Sequence, residues 1–131
     1  MKARSDRRRF EAEYPEAVRD WAFCFSSCWR CGRRGLWPTT LSIHHFVLGS
    51  SRRKNDLFTT AICCHECHEL EHTSELSLGL LGWLLLKKIY DGEFYDLVRV
   101  CAARGRAEGA ITDDEVESER RRLQEIGVLS L

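Results

Sequence analysis

The chain has 131 residues, of which 44% are hydrophobic and 31% are charged, and its 20 basic residues balance its 20 acidic residues. This length and composition are ordinary for a globular domain and exclude a disordered or membrane-embedded chain. The zero net charge conceals an asymmetry, because residues 1–60 carry 12 Lys and Arg against 6 Asp and Glu, whereas residues 61–131 carry 8 against 14. A basic first half suits a surface that binds phosphate groups, and a solvated basic face explains the charge equally well.

The apolar segments are too short for a membrane protein. Residues 76–86 form the most apolar stretch, which is shorter than the roughly 18 to 20 residues that span a bilayer and is followed by two lysines. This stretch predicts a buried helix. Residues 1–20 are basic and then acidic, without the continuous apolar run of a signal peptide. We therefore expect a cytoplasmic protein without membrane partners.

The first half of the chain predicts a short helix, a tight turn and two strands. Residues 15–23 begin with a proline, which suits a first helical turn, and are amphipathic. Residues 28–35, CWRCGRRG, have the glycines of a tight turn. Residues 41–47 and 57–63 are rich in β-branched and aromatic side chains, so each predicts a strand, and a polar loop separates them.

The second half of the chain predicts helices. A helical pattern begins at His65 and continues to about residue 92. Two further helices are expected around residues 93–103 and 113–126, and a Thr112-x-x-Glu115 capping box opens the second of them. The order of elements is therefore a helix, a turn, two strands, a helix and a helical tail.

Four of the seven cysteines form two Cys-x-x-Cys pairs, which predict one structural zinc site. Two such pairs supply the four thiolates of a closed tetrahedral site, and without an export signal this spacing favours metal binding over disulfides. The predicted ligands are Cys28, Cys31, Cys64 and Cys67. The other cysteines, Cys24, Cys63 and Cys101, are interpreted as small buried hydrophobic residues.

The histidines predict a second metal site. His68 and His72 are four residues apart on a predicted helix, so both rings project from one face and can share an ion. His44 and His45 lie on the first predicted strand, which can fold against that face. If His44 joins the pair, the ion has three protein ligands and an open position, as in a catalytic site. The alternative for each of the five histidines, and the interpretation retained for His65, is a hydrogen-bonded, partly buried side chain.

In combination these motifs resemble the HNH endonuclease family. They are the Cys28-x-x-Cys31 pair, IHHF at residues 43–46 and CHECHELEH at residues 64–72, so the resemblance covers a little over a third of the chain. It implies an α+β fold with a small ββα-metal core braced by a zinc site, an N-terminal helix and a helical C-terminal tail. The corresponding segments are a basic N-terminal helical segment (1–27), the nuclease core (28–75) and a helical extension packed on the core (76–131).

The resemblance implies hydrolysis of phosphodiester bonds in DNA, most simply double-stranded DNA. It implies His45 as the general base that activates water. The implied ligands of the catalytic divalent metal are His44, His68 and His72. Many family members have aspartate at the position of His44. Because histidine replaces aspartate here, Mn²⁺, Ni²⁺ and Zn²⁺ are candidate ions in addition to Mg²⁺. Thr59 occupies the position at which the family has its central asparagine. Asn55 and Asp56 lie nearby in the sequence and are the alternative replacements for that asparagine.

Two further expectations concern partners. Basic side chains near the core are expected to contact phosphate groups without reading bases, namely Arg33, Arg34, Arg52, Arg53 and Lys54. The C-terminal helices are expected to allow a protein partner or a homodimer. The alternative to a nuclease is a non-catalytic two-zinc module that binds nucleic acid or acts as an adaptor, with the histidines closing a second structural site.

Overall fold

The computed structural model describes residues 14–47, 56–73, 75–104 and 109–130. Their elements in chain order are α1 (Glu16–Phe23), β1 (Leu41–His45), a 3₁₀ turn (Leu57–Thr59), β2 (Thr60–Cys64), α2 (His65–Leu70), α3 (Gly79–Tyr90), a second 3₁₀ turn (Gly92–Phe94), α4 (Leu97–Arg104), α5 (Asp113–Glu117) and α6 (Arg120–Glu125). The protein is a small α+β domain, which confirms the predicted fold class. In the part of the chain described here, no helix has both the length and the apolarity needed to cross a membrane.

β1 and β2 form an antiparallel pair, with Leu41 opposite Cys64 and His45 opposite Thr60. Every residue of β2 is buried, because α2 and α3 pack near it while β1 covers its edge. The prediction of a strand from residue 57 is wrong for its first three residues, which form the 3₁₀ turn. Asp56 stabilises that turn, since its carboxylate accepts a hydrogen bond of 2.9 Å from the Phe58 N–H.

The helical pattern predicted from His65 onward is interrupted between α2 and α3. The interruption is held by Glu71, whose carboxylate accepts hydrogen bonds from the Leu78 N–H (3.0 Å) and the Ser77 hydroxyl (3.0 Å). Gly79 then opens α3 with a φ of 73°, a backbone conformation that glycine adopts without steric cost. The chain can therefore turn sharply before the apolar helix begins.

The apolar stretch is a buried helix, as predicted. Trp83, Leu84, Leu85 and Leu86 of α3 are each at most 1% exposed. The Trp83 ring lies 4.9 Å from the ring of His44 on β1, so α3 packs directly against the strand pair. Burial of large apolar side chains contributes roughly 1.5 to 3 kcal/mol each, so the packing of α3 stabilises the core beside the sheet.

Lys87 of α3 is fully buried and connects the helix to the start of β2. Its ammonium group donates to the carbonyl oxygens of Leu57 (2.5 Å) and Thr60 (2.9 Å) and to the carboxylate of Asp91 (2.6 Å). The same nitrogen lies 4.7 Å from the centre of the Trp21 ring of α1. Burial lowers the pKa of Lys87 to about 8. Nothing in the sequence pattern separated this lysine from the half-buried Lys88.

The C-terminal tail packs on α3. The predicted capping box is confirmed, because the Thr112 side chain accepts from the Glu115 N–H and the Glu115 side chain accepts from the Thr112 N–H. The single helix expected after it is two helices, α5 and α6, whose side chains Val116 and Leu123 are fully buried. Arg122 ties the tail to the start of α3 through a hydrogen bond of 2.6 Å to the Leu78 carbonyl.

Candidate functional site

The four paired cysteines form one cluster. Their sulfur atoms all lie within 4.8 Å of one another: Cys28, Cys31, Cys64 and Cys67. One pair lies on the turn after α1, which is closed by a hydrogen bond of 2.9 Å from the Cys28 N–H to the Arg33 carbonyl. The other pair lies at the start of α2, where Cys64 is the N-cap residue. The backbone N–H of Trp29 donates a hydrogen bond of 3.0 Å to the Ile62 carbonyl, so β2 holds the two cysteine pairs together.

This donor set fits a structural metal ion. Four sulfur ligands with no open position are typical of closed zinc sites. Burial raises the pKa of the Cys28 thiol, whereas at Cys31 the effect of burial is outweighed by the Arg33 N–H and the Cys28 side chain, so the pKa of Cys31 is lowered. A divalent metal ion would offset the free-energy cost of deprotonating these thiols, because it binds the thiolate form and displaces the protons.

The unpaired cysteines differ from one another. Cys63 on β2 is fully buried, and Cys101 on α4 is half-buried with its sulfur accepting from the Ile111 N–H at 3.2 Å. Cys24 is exposed, and its thiol donates to the Asp20 carbonyl at 3.3 Å. The interpretation of Cys24 as a buried residue is therefore wrong, because it follows the last turn of α1 on the solvent side.

Three predicted metal ligands are neighbours in space. The His44 ring lies 5.2 Å from the His68 ring, and the His68 ring lies 5.7 Å from the His72 ring. Among the described residues, however, the cysteine cluster is the only group of three or more potential ligands whose donor atoms all lie within 4.8 Å of one another. The three histidines are thus adjacent, and they are less closely assembled than the cysteines.

Burial keeps two of these histidines neutral. Burial, followed by the effect of the nearby His68, lowers the pKa of His44 to about 4. Burial, followed by the effect of His72, also lowers the pKa of His68. The Ser42 hydroxyl lies 3.3 Å from Nδ1 of His68, a contact that orients the ring. A neutral imidazole is the form that binds a metal ion.

A cavity of about 370 Å³ lies beside these rings, and both His44 and His45 line it. Adjacent residues of a regular strand face opposite sides, so this sharing needs the strand to end there. β1 does end at His45. The His45 ring also stacks on Tyr14 with centroids 6.3 Å apart. The apolar lining includes Phe46, Leu80 and Trp83, and the charged lining consists of Glu71 and Arg104.

Glu71 is a central residue that sequence reasoning missed. Its side chain is 3% exposed and pairs with Arg30 at 2.5 Å, and it also accepts a hydrogen bond of 2.6 Å from the Trp83 indole. Glu71 directly precedes His72. The turn of the chain that positions His72 therefore also places Glu71 in the lining of the cavity. Its place in the HNH-like motif was the only available signal, and nothing in that motif distinguished it from the other glutamates.

Thr59 and Asp56 both shape the turn before β2. Thr59 is fully buried, and its hydroxyl donates to the Asp56 carbonyl at 3.4 Å. Its own carbonyl accepts from the Phe46 N–H at 3.2 Å, next to His45. Thr59 lies outside the described lining of the cavity. Asn55, the other substitute for the family asparagine, lies outside the described residues.

The predicted phosphate-binding residues are only partly described. Arg33 and Arg34 are exposed on the cysteine turn, and Arg33 makes a surface ion pair of 3.2 Å with Glu66. Arg52, Arg53 and Lys54 lie outside the described residues. The Nε2 atom of His65 lies 3.0 Å from the Thr39 carbonyl, as expected of a hydrogen-bonded side chain, whereas the expected partial burial is wrong because His65 is exposed.

Together these features define the class of protein: a small α+β domain with a four-cysteine cluster able to bind a metal ion. No protein-family profile, no curated protein and no solved structure matches the chain. The arguments about function below therefore start from the geometry of the chain itself and from the residue motifs already described.

Proposed function

We propose that the protein is a metal-dependent endonuclease of the HNH type that hydrolyses phosphodiester bonds of DNA. The observation that carries this proposal is the contact of His44 on β1 with His68 on α2, at a ring distance of 5.2 Å and beside a cavity that His45 also lines. The elements β1, β2 and α2 follow one another as a strand pair and a helix, the order expected of a ββα-metal core.

The adjacency of three histidine rings supports the proposed catalytic ion. His44, His68 and His72 would hold it, and neutral nitrogen ligands shift the expected ion from Mg²⁺, which prefers oxygen ligands, toward transition metals such as Zn²⁺, Mn²⁺ or Ni²⁺. A divalent ion bound there supplies stabilisation of the negative charge on the phosphate and on the leaving oxygen. The cysteine cluster would hold a separate structural zinc that braces the start of α2.

His45 is the proposed general base. Its imidazole takes the proton of a water molecule while the water oxygen attacks phosphorus, and the bond from phosphorus to the leaving oxygen breaks. Tyr14 stacks on the ring with an interplanar angle of 10°, which limits how far the imidazole can turn. A positioned base of this kind typically contributes a factor of about 10² to 10⁴ in rate.

Substrate contact is proposed for the basic side chains around the core. Arg33 and Arg34 are exposed on the turn that carries Cys28 and Cys31, so they are accessible to a DNA backbone. Arg52, Arg53 and Lys54, which lie outside the described residues, are proposed to contact DNA as well. Contacts of this kind provide affinity without base recognition, which suits a nuclease with little sequence preference.

One observation favours the alternative, a non-catalytic zinc module that binds nucleic acid or a protein. Within the described ranges, the cysteines are the only potential ligands assembled closely enough to bind an ion without side-chain movement. On this alternative the histidines either close a second structural site or serve as packed core side chains. The two functions differ in whether an open metal position and a free base exist.

Three variants separate the two functions. His45→Ala should retain fold, metal content and DNA affinity while cleavage falls by about 10² to 10⁴, because only the base is removed. His72→Ala should lose the catalytic ion together with activity while the cysteine site stays filled. His65→Ala is the matched control, since this histidine is exposed and lies outside the described cavity lining.

The assay is nicking of supercoiled plasmid by each variant with added Mg²⁺, Mn²⁺, Ni²⁺ or Zn²⁺, with metal content measured by mass spectrometry. His65→Ala should cleave like the unmodified protein. If the unmodified protein cleaves nothing with any ion, or if His45→Ala cuts at the same rate, the nuclease proposal is wrong and the zinc module becomes the better account.

A further inference from the structure

We propose that Ser42 is a positioning residue for the candidate metal site, because it fixes the tautomer of His68 that leaves Nε2 as the metal-binding nitrogen. The inference rests on the proposed function, in which His68 holds the catalytic ion, and extends it to a residue outside the HNH-like motifs. Ser42 is the second residue of β1, and its hydroxyl oxygen lies 3.3 Å from Nδ1 of His68 on α2.

The strand brings Ser42 and His44 to the same side. Residues two apart on a strand point to one face of the sheet, and both of these side chains lie next to His68. The rings of His44 and His68 have their centroids 5.2 Å apart. The helix α2 follows directly after β2 and packs against β1. The His68 ring therefore meets one face of β1 at two points, of which one is polar and the other aromatic.

The hydroxyl group of Ser42 has a single proton, and two acceptors compete for it. The carbonyl oxygen of Cys63, the residue opposite Ser42 in the strand pair, lies 3.2 Å from the hydroxyl oxygen and accepts its hydrogen bond. If the proton went to His68 instead, two oxygen atoms would face each other at that distance without a proton between them. Both contacts are satisfied only when Nδ1 of His68 carries a proton and donates it to Ser42.

This tautomer determines which nitrogen of His68 can bind an ion. A neutral imidazole has one N–H group and one nitrogen with a free lone pair, so a proton on Nδ1 leaves Nε2 as the ligand atom. Metal-binding histidines usually donate their other ring N–H to a nearby oxygen, which fixes the ring and makes the ligand more basic. Ser42 provides this oxygen, and its bond to Cys63 connects the ring to the buried strand β2.

Three variants test the inference: Ser42→Ala, Ser42→Thr and Ser118→Ala. Ser42→Ala removes the oxygen, whereas Ser42→Thr keeps a hydroxyl group on a residue type that is common in strands. Ser118→Ala is the matched control, because the Ser118 hydroxyl also donates to a backbone carbonyl, that of Glu115 in the C-terminal tail, at 2.6 Å. Circular dichroism melting checks that each variant is folded.

The first measurement is the tautomer of His68. Protein labelled with ¹⁵N and loaded with one equivalent of zinc is studied by NMR correlation of the histidine ring nitrogens with the ring protons, at about pH 8, where imidazole is neutral. The unmodified protein, Ser42→Thr and Ser118→Ala should have His68 protonated at Nδ1, and Ser42→Ala should shift toward the Nε2 form. A His68 ring protonated mainly at Nε2 in the unmodified protein would overturn the inference without need of any variant.

The second measurement is the affinity for Ni²⁺, by titration calorimetry of the same zinc-loaded proteins. Ser42→Ala should bind Ni²⁺ about 10- to 100-fold more weakly, the usual effect of removing the hydrogen-bond partner of a metal-binding histidine. Ser42→Thr should recover most of the affinity, because its hydroxyl can accept from Nδ1 in the same way. Ser118→Ala should match the unmodified protein.

The outcomes separate this inference from the nuclease proposal. If the unmodified protein cleaves DNA and folded Ser42→Ala keeps the unmodified tautomer or the unmodified Ni²⁺ affinity, the inference is wrong while the nuclease proposal stands. If Ser42→Ala changes both but the unmodified protein cleaves no DNA with any ion, the inference is supported while the nuclease proposal fails. If the unmodified protein binds no second ion beside its zinc, the inference is overturned together with the proposed histidine metal site.

Discussion

Arg30 and Glu71 form a buried ion pair that joins the cysteine turn to the chain around the histidines. Nη1 of Arg30 lies 2.5 Å from Oε2 of Glu71, and the two side chains are 11% and 3% exposed. Arg30 lies between Cys28 and Cys31, whereas Glu71 lies between His68 and His72. The pair therefore links the cysteine cluster directly to the chain that carries the candidate metal-binding histidines.

Glu71→Gln should lower the free energy of unfolding by about 3 to 5 kcal/mol, because Arg30 would become a buried charge without its partner. The amide oxygen of glutamine can still accept a hydrogen bond from the Trp83 indole. The substitution therefore removes the negative charge while it largely keeps the shape of the side chain. The measurement is urea unfolding of the zinc-loaded protein. Glu66→Gln is the matched control and should cost under about 1 kcal/mol, since its pair with Arg33 is exposed. Equal losses in the two variants would show that Arg30 and Glu71 do not act as a buried pair.

Cys64→Ser should release about one equivalent of zinc per chain and lower the melting temperature strongly, because binding of a structural ion contributes directly to folding. Metal content is read by mass spectrometry and melting by circular dichroism. Cys24→Ser makes the same substitution at an exposed cysteine outside the cluster, so it should keep both the metal and the melting temperature. A Cys64→Ser protein with full zinc content and unchanged melting would contradict the structural zinc site.

Lys87→Met should cost about 3 to 5 kcal/mol in unfolding free energy, since it leaves the Asp91 carboxylate buried without its cation. The Trp21 indole still donates to that carboxylate at 2.8 Å, which does not replace the lost charge. Chemical unfolding measures the loss. Lys88→Met is the control, because this side chain is more exposed and pairs with surface carboxylates, so its loss should be much smaller. A Lys87→Met protein as stable as Lys88→Met would refute this role.

Features encoded within a few residues were predictable. Each Cys-x-x-Cys pair is local, because the turn between Cys28 and Cys31, like the helix start at Cys64, brings two sulfurs together without help from distant residues. The Thr112 capping box is local for the same reason and is confirmed. The order of strands and helices followed from their periods in the same way, whereas the α+β fold class was implied by the resemblance to the HNH family. The bounds of the segments 1–27, 28–75 and 76–131, and the roles of the histidines, stay predictions.

Contacts between distant segments were not predictable. The 3₁₀ turn at Leu57 is held partly by Lys87, whose ammonium group binds the Leu57 carbonyl from another helix. The break between α2 and α3 is held by Glu71, which also pairs with Arg30 from the cysteine turn. A pattern of side-chain types along the chain contains neither of these contacts.

By itself, the sequence determined the two Cys-x-x-Cys pairs, the buried helix α3 and the presence of histidines at helical and strand spacing. These properties depend on residue type and on the periods of helix and strand. Only the tertiary structure decided that His44 meets His68, that Glu71 is buried opposite Arg30, and that Arg104 reaches the cavity. The physical reason is that these meetings depend on how α2 packs against the strand pair and how α4 packs on the 3₁₀ turn at Leu57. That packing is set by the shape of the whole core rather than by any local segment.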